Sequence, residues 1–448
     1  MEPREAELYG DRVLRLLHRA RDTLCRKYGL ELNQPVTIEI FPQQSDFAVR
    51  TFGMPGGAGY LGVCFGKLVT ANSPASRGEH PTSWESVLWH EFCHVVTLQL
   101  TRNKMPRWLS EGISVYEERQ ADPAWGQRMN SRYREMILKG ELTPVGRLSA
   151  AFLSPRSGSH LQFAYFESSL VVEFLVDRYG QETIGRVLSD LAGDVAINTA
   201  LEKHTGQPIA ELEQRFEEFA RDRAERLAPA ADLDRDGLPK PGPNGATETA
   251  QWLKDHPKSF WGHLQLGVLL MRDHKFAEAT APLQRAIELY PGYTGSDSPY
   301  VALAGVHREL NEPAAERRVL QQFVKLEADA VPALLRLLEL DAGADDWPSL
   351  AADADRLLGT NPLLPQPHRA MARAAEELAR PADAIGAYRR LLPMDPEDPA
   401  EVHYRLARLL HAAGDASAKR HVLMALEEAP RFPEALRLLL EMKRKESE

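Results

Sequence analysis

Residues 84–118 read WESVLWHEFCHVVTLQLTRNKMPRWLSEGISVYEE, and His90, Glu91, His94 and Glu111 within them decide how the first half of the chain is read. Apolar Val87, Leu88, Phe92, Val95 and Val96 recur at helical spacing, and Thr82 with Glu85 makes a capping box ahead of them. Residues four apart on a helix share a face, so both imidazoles of His90-Glu91-Phe92-Cys93-His94 can reach one metal ion. Glu91 then lies beside the ion, placed to contact water. Alone, the motif also fits a surface helix with two solvated histidines. Glu111, seventeen residues beyond His94, argues against that. Pro106 can open a second helix as its first residue, and a Glu in the first turns can face back to the histidine pair. Trp108, Leu109, Ile113 and Val115 would pack the second helix on the first. A His2Glu set leaves one position open, which is the mark of a catalytic rather than a structural zinc site. One Zn2+ per chain is expected.

Around this core, apolar Leu8, Val13, Leu16, Leu17, Ala20 and Leu24 predict a helix over 5–29, ending at Gly29. Pro35–Phe41 alternates and is β-branched, which reads as a strand. Gly53–Gly59 reads as a flexible loop leading into two short strands, Tyr60–Phe65 and Lys67–Ala71, and helix dominates from Trp84 to Leu227. The fold class of 1–227 is therefore α+β: a small mixed sheet with the active-site helices, and a helical second half.

Residues 228–256 read as a linker, rich in Pro, Gly, Ala and Asp up to about 248 and without apolar period there. Asp232, Asp234 and Asp236 imitate the start of a calcium loop, but Pro243 stands where the twelfth-position acid belongs. From 257 to 445 the chain repeats. Pro362, Pro396 and Pro430 follow one another at 34 residues, with Pro291 before them. Ala279, Ala286, Ala354, Ala384, Ala418 and Ala425 recur where paired helices must touch. This is the period of an all-α tetratricopeptide solenoid of about five units, a surface for holding a protein partner.

The chain has 448 residues, enough for two or three domains, and its formal net charge of -10 argues against a phosphate-backbone binder, so no nucleic-acid partner is expected. No run of about eighteen apolar residues predicts a membrane span. Cys25, Cys64 and Cys93 form neither a disulfide framework nor a C-x-x-C zinc pair. The N-terminus lacks a cationic segment followed by an apolar core, so a cytoplasmic location is expected, with export open if an upstream segment is missing.

HEFCH followed by PRWLSEGISVYEE resembles the gluzincin metallopeptidases, specifically the bacterial peptidase MA-like group, whose members often carry tetratricopeptide repeats. The likeness in layout covers roughly 5–225, and its specific motifs about 84–118. It implies that His90, His94 and Glu111 are zinc ligands and that Glu91 is the catalytic base. It also implies an edge strand lining the cleft and pairing with an extended peptide, for which Gly59–Asn72 is the candidate. Glu91 would take a proton from water and return it to the leaving amine, giving a peptidase, read here as an endopeptidase. An oxyanion donor is still required, and Tyr165, on the helix after the ligand helices, is the candidate, against an aromatic packing role. Cys93 reads as a buried small residue, and His80 and His160 lack a partner at ligand spacing. Glu117 and Glu118 read either as outer partners of a ligand histidine or as solvated helix charges. The competing function is a catalytically silent zinc domain on a repeat scaffold. A zinc hydrolase acting on other bonds also stays open. The intact His90, Glu91, His94 and Glu111 set favours the enzyme.

Overall fold

The computed structural model describes residues 1–57, 59–78 and 82–445, and His80 lies outside them. The chain packs as two compact units, Leu14–Asn72 with Glu85–Glu327, and Met1–Val13 with Ser73–Trp84 and Ala328–Glu448.

The first of these units holds a three-stranded mixed sheet of β1 (Thr37–Phe41), β2 (Gly62–Cys64) and β3 (Leu68–Asn72), in the order β1-β3-β2. β1 runs parallel and β2 antiparallel to β3. Central β3 buries Val69, Thr70 and Ala71, while β2 is left at the edge. Between β1 and β2 lies α1 (Gln44–Phe52), a helix that sequence reasoning did not expect, closed by Gly53 in the left-handed region at φ 74°. Helices α2 (Trp84–Leu100) and α3 (Arg107–Ala121) follow the sheet. Arg102 and Asn103, both left-handed, reverse the chain between them, and the Asn103 N–H donates to Leu98 O at 2.8 Å. This tight reversal returns α3 toward the histidine-bearing helix.

Beyond come α4 (Ser131–Leu138), α5 (Ser149–Leu153) and the long α6 (Gly158–Tyr179). Asn130 caps α4 by accepting the Tyr133 N–H at 2.9 Å. Trp108, Leu109, Ile113, Phe166 and Phe174 are fully buried, each contributing roughly 1.5–3 kcal/mol. α3 lies so close to α6 that a Cβ on Gly112 would stand 2.6 Å from the Ser168 carbonyl oxygen.

Glu167 of α6 is also in this core, its Oε1 accepting the Thr143 N–H at 2.6 Å while buried Oε2 has no partner. Burial pushes its carboxyl up to about 8. The folded chain thus keeps a proton that the unfolded chain releases near pH ~4.3. Stability from this group is complete below that pH and is lost as pH rises through about 8. Glu167→Gln is expected to remove this loss, raising the melting temperature at pH 9 by several degrees and flattening its slope between pH 5 and 9. A slope unchanged from wild type in calorimetry would rule the assignment out.

The stretch 228–256 is ordered. Asp232 bridges to the chain near Ser259, its N–H donating to Lys258 O at 2.8 Å and its carbonyl accepting the Phe260 N–H at 3.0 Å. Asp232 and Asp234 carboxylates accept the N–H groups of Asp234 and Asp236, and Arg235 stacks 3.5 Å over the Trp261 ring. A helix spans Gly245–Trp252. Main-chain and side-chain bonds fix this segment, together with Leu233, Leu238 and Ala246 packed against the core of the first repeat.

Five helical pairs follow among the described residues, from Phe260–Arg272 with Phe276–Leu289 to Pro399–Ala412 with Ala418–Glu428, and then a last helix, Pro433–Lys445. These are the all-α repeats that the 34-residue period predicts. Ala279, Ala286, Ala354, Ala384, Ala418 and Ala425 are all buried. Pro299, Pro313, Pro365, Pro381 and Pro399 each open a helix, where a missing N–H costs nothing.

In the second unit, residues 1–13 and 73–84 join the repeats from 328 onward. Tyr9 meets the Trp84 ring at a tilt, centroids 5.3 Å apart, and the indole N–H of Trp84 donates to Leu358 O at 2.9 Å. Arg12 pairs with Asp355, and the Ser83 N–H donates to Asp329 Oδ1 at 2.7 Å. No helix among the described residues is long and apolar enough to cross a membrane.

Candidate functional site

The structure brings His90, His94 and Glu111 together. One ligand atom from each lies within 4.8 Å of the others, the only such trio among the described residues. His90 and His94 rise one turn apart from α2, and Glu111 enters from the second turn of α3. Glu111 Oε2 stands 3.2 Å from His90 Nε2 and 3.3 Å from His94 Nε2, so all three donor atoms converge on one point. Burial disfavours charge on Glu111, but hydrogen bonding to the two imidazoles outweighs it and holds the carboxyl far below the usual range. Two imidazole nitrogens and one carboxylate oxygen are a donor set that suits zinc.

Each histidine is held from behind. Glu118 Oε1 lies 2.6 Å from His90 Nδ1, and its Oε2 accepts the Ser86 hydroxyl at 2.6 Å. Ser110 and Ser114 hydroxyls lie 2.8 and 3.2 Å from His94 Nδ1. Such contacts turn Nε2 of both rings toward the trio. Glu118 is thus an outer partner of a histidine. Glu117 instead faces away, receiving the Tyr28 hydroxyl at 2.5 Å and the Lys27 ammonium at 2.6 Å. Cys93 is buried, its thiol pushed well up by burial, and is a packing residue. His160 pairs with Glu141 at 3.4 Å, away from the trio.

Glu91 is buried, and its Oε2 makes no hydrogen bond. Burial raises its carboxyl, the two histidines opposing. Edge strand β2 passes directly over it. A Cβ on Gly62 would stand 2.6 Å from Glu91 Cγ and 2.7 Å from Oε1, so a larger residue at that strand position would have to displace the Glu91 side chain. Cys64, two residues on along the same strand, has its thiol pushed up to about 12 by burial and by Glu91.

Tyr165 reaches the site from α6. Its hydroxyl accepts a bond from Arg107 Nη2 at 3.0 Å, and burial with nearby Glu111 pushes the phenol up to about 12. Its ring meets Phe152 edge-on at 5.1 Å. Sequence reasoning missed Arg107, Ser110, Ser114 and Gly62. The first three have a local signal: Arg107 and Ser114 lie four before and three after Glu111 on the helix, and Ser110 directly precedes it.

Residues 19–222 match the family profile of the Peptidase MA superfamily, and residues 258–394 that of a bacterial transcriptional activator domain. No curated protein matches the chain. Among solved structures it is similar to YrrB, described as a TPR protein with an unusual peptide-binding site, at 12% identity and TM-score 0.33 over 43% of this chain and 97% of that one. It is also similar to MamA, at 14% identity and TM-score 0.31 over 38% and 92%, and to the type IV pilus biogenesis factor PilW, at 16% and 0.27 over 44% and 90%. The chain therefore carries a peptidase MA-like domain in its first half, followed by tetratricopeptide-like helical repeats.

Proposed function

We propose that this protein is a zinc-dependent peptidase of gluzincin type, with residues 1–227 carrying catalysis and the repeats of 257–445 holding a substrate or partner protein. The observation that carries this reading is the convergence of His90, His94 and Glu111 beside a buried carboxylate, Glu91, whose Oε2 has no partner. Zinc, when bound by the trio, supplies Lewis acidity for water and carbonyl alike. Glu91 accepts the proton of the attacking water and passes it to the leaving amine. Tyr165 donates its phenolic hydrogen to the developing oxyanion. An extended peptide adds to the edge of β2, the strand whose Gly62 lies against Glu91.

The test is metal content together with cleavage of a quenched-fluorescent peptide library by the full chain. Glu111→Ala is expected to weaken zinc binding beyond the roughly 10–100-fold that loss of an outer partner costs. Full zinc occupancy in that variant at nanomolar free metal would sink the ligand assignment. Full occupancy in the wild type without any cleavage would favour a scaffold role for the domain.

A further inference from the structure

The first residue of α3, Arg107, touches two parts of the site at once. Its Nε donates to Glu111 Oε1 at 3.3 Å, the carboxylate oxygen that faces away from the histidines, and its Nη2 donates to the Tyr165 hydroxyl at 3.0 Å. The guanidinium is seated 5.2 Å over the Phe152 ring, which itself braces Tyr165 edge-on. A planar fork with fixed donors can hold two acceptors at a set separation, which an ammonium cannot do. Because the Tyr165 oxygen accepts from Arg107, its one hydrogen is left to point elsewhere.

We infer that Arg107 is a positioning residue that couples the carboxylate ligand to the oxyanion donor. It fixes Glu111 so that Oε2 alone meets the histidines, and it turns the Tyr165 hydrogen toward the reacting carbonyl. The Tyr165 half rests on the peptidase reading of the site, whereas the Glu111 half rests on the ligand geometry only.

The test compares full-length wild type, Arg107→Met, Arg107→Lys and Tyr165→Phe, alone and with Arg107→Met added to Tyr165→Phe. Zinc affinity is read by chelator competition. Turnover is read at saturating zinc on a peptide that the wild type cuts. Arg107→Met is expected to bind zinc about tenfold more weakly, Arg107→Lys to recover part of that, and Tyr165→Phe to stay within about twofold of wild type. In turnover, Arg107→Met is expected to lower kcat about 10–100-fold with KM within about twofold, and the double variant to be no slower than Tyr165→Phe. Unchanged zinc affinity in a folded Arg107→Met overturns the Glu111 half. Multiplying losses in the double variant overturn the Tyr165 half, as does a raised KM at unchanged kcat, which would make Arg107 a substrate contact. If the wild type cuts no peptide, the Tyr165 half falls with the peptidase reading, and the zinc measurements still decide the other half.

Discussion

Glu91→Gln is expected to lower peptide turnover by about 10³-fold while zinc content stays near one ion per chain. Glutamine keeps the shape that β2 demands. Gly62 leaves no room for a side chain between the strand and Glu91 Cγ, and the amide fills the same space as the carboxylate. What is lost is the capacity to accept a proton at Oε2, which has no other partner in the folded chain. The ligand trio does not include this carboxylate, so metal binding should be unaffected. Cleavage of a quenched-fluorescent peptide, with zinc measured on the same sample by atomic emission, separates the two effects. Wild-type turnover by the glutamine variant would remove Glu91 from the mechanism. Loss of zinc would instead make it a ligand.

The second large effect is expected at Gly112. In Gly112→Ala the new methyl would lie 2.6 Å from the Ser168 carbonyl oxygen and 2.7 Å from its carbon. These are main-chain atoms of α6, so no side-chain rotation relieves the clash and α3 must move away. Overpacking of this kind costs about 1–3 kcal/mol, and more where backbone is the obstacle. For a unit of this size that is a melting temperature lower by roughly 2–12 °C. Glu111 is the neighbouring residue and shifts with the helix, so zinc affinity should fall about tenfold or more alongside stability. A variant that melts with the wild type and binds zinc as tightly would mean that α3 and α6 can part without disturbing the site.

The legible parts of the site are those encoded within one helix. His90 and His94 are four apart on α2, and the Trp108–Ile113 register turns Glu111 inward on α3, so each helix presents its ligands by its own spacing, and the reversal at Arg102–Asn103 brings the two helices together. Arg107 is equally local to Glu111, yet an arginine at a helix start reads as a solvated charge until Tyr165, 58 residues on, supplies its second acceptor. Gly62 gives the same lesson. A glycine in a strand signals some close approach, but only the fold says that the approaching group is Glu91. α1 went unread because QSDFAVRTF buries just Phe47 and Ala48 in one turn, too little to set a period. The repeats were legible since their period is carried by prolines and alanines that each pair uses alike. That residues 1–13 and 73–84 pack with the later repeats could not be read, because no local pattern encodes a partner 246 to 343 residues away.

That last feature governs how the chain must be assembled as it is made. Arg12 waits for Asp355, 343 residues downstream, and the Trp84 indole N–H for the Leu358 carbonyl, 274 residues on. At about 5–20 residues per second, synthesis leaves the first segment without its partners for roughly 20–70 s. The unit that joins residues 1–13 to the repeats from 328 onward therefore closes last, and it can close only after the ligand-bearing helices have long left the ribosome. During that interval the apolar side chains of residues 1–13 are open to a chaperone.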